Sequence, residues 1–182
     1  FTNKAASQML ARICALTGME AREFWGGTFH SLGNRFLRIE AEAAGLSPNF
    51  TILDSDDSES LIKASANEIF PSYFADKDNP KPKLLRDIIS YARNTCSSVR
   101  DAMAGRFSWL ESPYADIEEI AEYYAEKKRA ANSCDFDDLL ELWYMLLRDN
   151  PEILQKYSGR FKNILVDEYQ DTNKLQSDIL DL

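Results

Sequence analysis

Apolar residues recur every three or four positions over most of these 182 residues, with a few short runs where they cluster instead. Phe1-Thr2 reads as the end of a strand. Asn3 is placed to cap a helix, and Ala5, Ala6, Met9, Leu10, Ile13 and Leu16 follow at helical spacing up to Gly18. Phe24–Phe29 reads as a second strand, in which Gly26-Gly27 lets something approach the backbone. Leu32, Phe36, Ile39 and Ala43 mark a helix that ends at Gly45, and Asn49–Leu53 suggests a third short strand. Strand and helix alternating in this way predict a parallel α/β sheet.

The pattern changes after Asp54. "DSDDSES" caps a helix that runs through Leu61, Ile62, Ala66 and Ile69. A loop with two prolines follows at 76–83. Leu84–Met103 and Tyr114–Ala131 have helical periodicity and no strand signal. Asp135 opens a further helix with Phe136, Leu139, Leu140, Trp143, Leu146 and Leu147 on its apolar face, and Pro151 starts a short one. Asn163–Val166 returns to strand. The expected organisation is therefore 1–55 in a parallel α/β unit, 56–133 as an all-helical insertion, and 134–182 as the return to the first unit. Trp25, Trp109 and Trp143 are expected in the core.

Composition narrows the setting. The chain is 45% hydrophobic and 28% charged, enough for a core and a solvated surface. No apolar run approaches a membrane span, and no basic-then-apolar leader opens the sequence. Cys14, Cys96 and Cys134 have no metal-ligand spacing and read as reduced thiols, which points to the cytoplasm. His30 is the single histidine. The net charge of −9 is unexpected for a nucleic-acid binder, yet it is uneven. Residues 1–40 carry five basic side chains against three acidic ones, residues 76–106 seven against four, and acid concentrates in 111–141. A starting residue of Phe rather than Met suggests a segment of a longer protein.

The chemistry concentrates in "ILVDEYQDTN", Ile164–Asn173. Ile164, Leu165 and Val166 read as a short buried strand that runs straight into Asp167 and Glu168. A buried charge is costly without compensation, and parallel sheets bind ligands beyond the carboxyl ends of their strands. At such an edge Asp167 could hold Mg²⁺, and Glu168 could orient or deprotonate a water. On spacing alone, an Asp-Glu turn that caps the next helix explains the pair as well. Asp135, Asp137 and Asp138 lie at a helix N-terminus that already accounts for them, so no metal is expected there.

The longer string resembles the acidic motif of UvrD/Rep/PcrA-like superfamily 1 DNA helicases. "FTNKAASQMLAR" (1–12) is similar to that family's motif Ia, "GTFHSLGNRFLR" (27–38) to its motif Ib, and "CDFDDLL" (134–140) to the stretch before the acidic motif. The four fall in the family's order and span almost the whole chain. The likeness weakens between about 56 and 113, within the expected insertion.

The resemblance implies a RecA-like P-loop NTPase subdomain 1A with a helical subdomain 1B inserted. It implies Asp167 as the Mg²⁺ ligand, Glu168 as the catalytic residue toward water, and Gln170 beside the nucleotide, orienting Asp167 or relaying to a later motif. Asp171 or Thr172 is an equal candidate for a helix cap. It implies single-stranded DNA on Phe1 by stacking, on Thr2 and Asn3 at a helix N-terminus, and on Thr28 and His30, with Arg35 or Arg38 adding charge. The alternatives are Phe1 as core, Asn3 as a plain cap and His30 as a structural residue. No glycine is followed by Lys, so the phosphate-loop pattern G-x-x-x-x-G-K-[ST] is absent from the 182 residues, and the chain alone is expected to be inactive.

By resemblance the parent is an ATP·Mg²⁺-driven helicase that moves 3′ to 5′ on single-stranded DNA. It would unwind junctions in repair, replication or recombination. The rivals are the helicase arm of a helicase–nuclease and a non-catalytic DNA or protein interaction module of the same fold.

Overall fold

A computed structural model describes the backbone of residues 3–182, and the side chains of these except Asn3 and Arg22. The expectations for Phe1, Thr2 and the Asn3 side chain lie outside the described residues.

Helix α1 (Asn3–Thr17) stops where Gly18 adopts φ +72°, a conformation open to glycine at little cost. Helix α2 (Phe29–Ile39) is capped by Thr28, whose Oγ1 accepts from the Ser31 amide at 3.2 Å. Gly33 of α2 is buried against helix α7 (Phe136–Asp149). A Cβ there would stand 2.6 Å from the Leu139 carbonyl oxygen, so only glycine lets the two backbones approach. That contact brings Phe36 and Leu37 onto Leu139, Leu140 and Trp143 at the centre of one core.

The sheet among the described residues is small. Strand β1 (Thr51–Ile52) runs parallel to β2 (Ser133–Cys134), Thr51 opposite Ser133 and Ile52 opposite Cys134. Everything between them is helical: α3 (Ser55–Ile69), α4 (Pro82–Asn94), α5 (Val99–Ala104) and α6 (Tyr114–Ala130). These pack on one another in a second core built on Ile62, Leu85, Ile88, Ile117, Ile120 and Tyr124. The chain thus leaves the first core at β1 and re-enters it beside the exit, at β2. Helices α8 (Pro151–Arg160) and α9 (Lys174–Leu180) complete the first core through Ile153, Tyr157, Leu175 and Ile179.

The fold is mostly helical with this small parallel pair, compatible with the expected α/β class. Several local expectations differ. Residues 24–28 of the expected Phe24–Phe29 strand are irregular, following a single 3-10 turn at Ala21–Glu23, and Phe29 opens α2. Trp25 is instead held by rings, edge-on to Phe36 at 5.0 Å and tilted to Phe161 at 5.2 Å. Asn163–Val166 is also irregular, with Ile164 61% and Leu165 82% exposed rather than buried. A strand needs a neighbour to take its backbone hydrogen bonds, and among the described residues neither stretch is paired in a sheet. Conversely β2 escapes the hydrophobic pattern, because two residues are too few to show a period.

The helix over Leu84–Met103 is broken at Thr95–Ser98, where Cys96 takes φ +53°. Trp109 is 65% exposed: Phe107, two residues earlier, takes the core position edge-on to Tyr91 at 5.8 Å. No helix among the described residues is long and apolar enough to cross a membrane.

Candidate functional site

The acidic segment leaves the irregular 161–166 stretch and is exposed from Asp167 to Asp171. Glu168 adopts φ +49°, ψ +44°, a left-handed conformation that costs a side-chain-bearing residue of order 1 kcal/mol. Its own amide donates to Asp167 Oδ1 at 3.1 Å. Gln170 Nε2 donates to Glu168 Oε2. Tyr169–Asp171 makes one 3-10 turn, and the Tyr169 hydroxyl meets Ser177 Oγ on α9 at 2.9 Å. The cap of α9 is Asn173 rather than Asp171 or Thr172. Its side chain accepts from the Gln176 amide, and Gln176 Oε1 accepts from the Asn173 amide. That reciprocal pattern, Asn followed three residues later by Gln, was legible in the sequence.

Among the described residues, no three His, Cys, Asp or Glu side chains gather as a metal site. Mg²⁺ in nucleotide sites takes one or two carboxylates and completes its shell with phosphate oxygens and water. Two adjacent exposed carboxylates fit a nucleotide-borne Mg²⁺ and do not fit an all-protein cage.

A groove of about 330 Å³ connects this segment to the second candidate region. Its walls include Met9 of α1, Trp25, Leu32 of α2, Trp143 of α7 and Leu165, and both Thr28 and Asp167 line it. Thr28 therefore sits on the same groove as Asp167. Its hydroxyl accepts within the α2 cap and keeps one proton to donate elsewhere.

His30 lies away from the groove, edge-on to Phe136 with ring centroids 5.9 Å apart. Burial lowers its pKa below the ordinary 6.5, and the Asp137 carboxylate only partly offsets this, so the ring is neutral at pH 7. Arg35 stacks over Trp25 at 4.0 Å, while Arg38 lies over Phe50 at 3.8 Å and donates to the Pro48 carbonyl at 2.6 Å. Both arginines are engaged in the fold.

The acids of "CDFDDLL" have a structural role, as their place at the start of α7 suggests. Asp135 caps α7 and forms a reciprocal pair with Asp138. Lys128, 2% exposed, donates to both carboxylates, and Tyr124 donates to Asp135 at 2.8 Å. Arg93 of α4 donates to Asp138 and Glu141. Burial raises the Asp135 carboxyl, but Lys128 and then Arg93 more than reverse this and bring it to about 2. This knot joins α4 and α6 to α7, and its basic members, Arg93 and Lys128, were not picked out from the sequence. The third acid, Asp137, instead accepts from Asn94 at 2.7 Å.

The family model for the UvrD/REP helicase N-terminal domain matches residues 1–182. The ATP-dependent DNA helicase UvrD1 of Mycobacterium tuberculosis is 38% identical over 177 residues, covering 97% of this chain and 22% of that protein. The ATP-dependent DNA helicase PcrA of Leuconostoc citreum is 38% identical over 183 residues, covering 100% of this chain and 24% of its own length. PcrA of Staphylococcus epidermidis is 36% identical over 182 residues, again covering 24% of that protein. The chain thus spans about a quarter of the length of these relatives.

Proposed function

The chain belongs to the UvrD/REP helicase family, and on that footing we propose that the protein carrying it is an ATP-dependent DNA helicase. It moves 3′ to 5′ along single-stranded DNA and opens single-strand/duplex junctions in repair, replication or recombination. The two cores correspond to subdomains 1A and 1B, with the insertion leaving at β1 and returning at β2. Asp167 holds the Mg²⁺ of a bound ATP. Glu168, kept in place by Gln170, takes the proton of the attacking water. The Mg²⁺ supplies charge neutralisation on the phosphates when bound. Thr28 donates to a DNA phosphate from the N-terminus of α2, and His30 adds a neutral hydrogen bond. Phe1, Thr2 and Asn3 contact single-stranded DNA as well.

The observation that carries this reading is that Asp167 and Thr28 line one groove: the first carboxylate of the acidic pair and a helix N-terminus face a common space. ATP hydrolysis by the full protein, with and without single-stranded DNA, tests it together with strand displacement on 3′- and 5′-tailed duplexes. Hydrolysis stimulated by DNA, with unwinding of the 3′-tailed duplex, is the expected result. A protein that binds DNA without hydrolysing ATP would instead be the interaction module.

A further inference from the structure

The acidic segment is exposed and irregular, so something else must hold it. Tyr169 ties it to α9, and α9 begins at Asn173. Asn173 Nδ2 donates to Asn94 Oδ1 at 2.6 Å, and Asn94 Nδ2 donates to Asp137 Oδ1 at 2.7 Å. All three side chains are half-buried. Asn94 is the last residue of α4, within the helical insertion, and Asp137 lies in the first turn of α7, next to the Phe136 that meets His30.

The polarity of this chain of bonds is fixed at Asn94, whose Nδ2 donates both to Asp137 Oδ1 and to the Ser90 carbonyl of its own helix at 2.9 Å. An ionised Asp137 can only accept, so Asn94 must present its amino group to it. The Asn94 carbonyl then faces Asn173, whose amino group must donate. That leaves the Asn173 carbonyl for the Gln176 amide, which is the cap observed. The Asp137 carboxylate on α7 and the Ser90 carbonyl of α4 thereby agree on the orientation of the two amides and on the start of α9. A single residue of the insertion is the link between them.

We propose that Asn94 is a positioning residue for the acidic segment, joining Asp137 of α7 to the Asn173 cap and so fixing where Asp167 and Glu168 stand. This rests on the reading of Asp167 and Glu168 as the nucleotide-hydrolysing pair. The bridge itself can be tested without that reading. Asn94→Asp sets two carboxylates against each other. The double variant Asn94→Asp with Asp137→Asn restores complementary partners toward α7 and α9, while the Ser90 carbonyl loses its donor. In it the amide introduced on α7 can donate to the carboxylate introduced on α4, and that carboxylate still accepts from Asn173.

The experiment uses the full protein and two readouts. Amide hydrogen exchange over residues 169–177 should speed by about tenfold or more in Asn94→Asp and return toward wild type in the double variant. In the same proteins the DNA-stimulated kcat for ATP should fall about tenfold in the single variant, with KM for ATP within about threefold, and recover in the double variant. A melting curve sets the folded fraction at the assay temperature.

Unchanged exchange in Asn94→Asp overturns the bridge. Faster exchange with unchanged kcat overturns the positioning role. A fall in kcat that only tracks lost folded protein does the same. A wild-type protein without DNA-stimulated hydrolysis overturns the proposed function and the positioning role with it, while the exchange result still decides whether the bridge exists.

Discussion

Glu168 combines a left-handed backbone with a carboxylate fixed by Gln170, on a segment otherwise open to solvent. Such a conformation persists only when its surroundings impose it, and here they are the 3-10 turn and the tie from Tyr169 to α9. His30 leads to a different expectation. Because burial keeps it neutral, His30→Ala should weaken single-stranded DNA binding without changing how steeply affinity falls with salt. Anisotropy titrations of the full protein at several salt concentrations measure both quantities. A slope reduced by about one in the variant would mean a charged contact. Asp167, Glu168, Thr28 and His30 stand out as candidates in the sequence because motif chemistry is local. What each side chain touches does not, since Gln170 meeting Glu168 and His30 meeting Phe136 depend on backbone turns that no short pattern encodes.

Among the elements, α7 carries most of the organisation. It receives α2 at Gly33, and Gly33→Ala should cost about 1–3 kcal/mol, read by urea unfolding, because the added methyl meets a carbonyl oxygen that belongs to the helix backbone. It also receives α4 and α6 through the buried knot at Asp135 and Asp138. Removing one partner of a buried ion pair leaves the other uncompensated, so Asp138→Ala should destabilise by roughly 3–5 kcal/mol.

The same knot sets an acid limit. Asp135 has its folded-state pKa depressed from 3.8 to about 2, so its contribution is full above the ordinary value and is lost as pH falls through the depressed one. Stability should therefore drop by on the order of 2 kcal/mol from this group between about pH 4 and pH 2. In Asp135→Asn that part of the slope should be missing. Unfolding curves at a series of acid pH values check it. Helices were read well at this scale, because 3.6-residue periodicity over ten or more positions is a strong signal: α1, α3, α6 and α7 fall close to where the pattern puts them. The segments 24–29 and 163–166 carry strand-like composition, but a strand also needs a paired neighbour, which composition alone cannot provide.

At the scale of the whole molecule, two cores are joined by the parallel pair β1–β2 and by the Arg93–Lys128–Asp135–Asp138 knot. The helical character of the stretch between the strands was legible because it shows no period-two segment. The closeness of its two ends was not, because it rests on hydrogen bonds from Thr51 to Asn132 and from Leu53 to Cys134 across about eighty residues. The 182 residues hold an acidic pair but no phosphate-loop pattern. The chain by itself should not turn over ATP, since backbone amides and a lysine that would cradle the phosphates are not among its residues. A DNA-stimulated ATPase assay on the isolated chain, with Glu168→Gln as the baseline, checks this; turnover clearly above that baseline would contradict it.

The division of labour between the two carboxylates is the central claim, and Glu168→Gln in the full protein tests it most directly beside Asp167→Ala. Gln keeps the shape of Glu168 and its contact with Gln170 but cannot take a proton. Nucleotide affinity measured in the presence of Mg²⁺, and single-turnover hydrolysis on single-stranded DNA, separate the roles. Glu168→Gln should bind ATP normally while hydrolysis slows by about 10²–10⁴-fold, and Asp167→Ala should lose Mg²⁺-dependent affinity as well. Hydrolysis by Glu168→Gln at near the wild-type rate would contradict this division of labour.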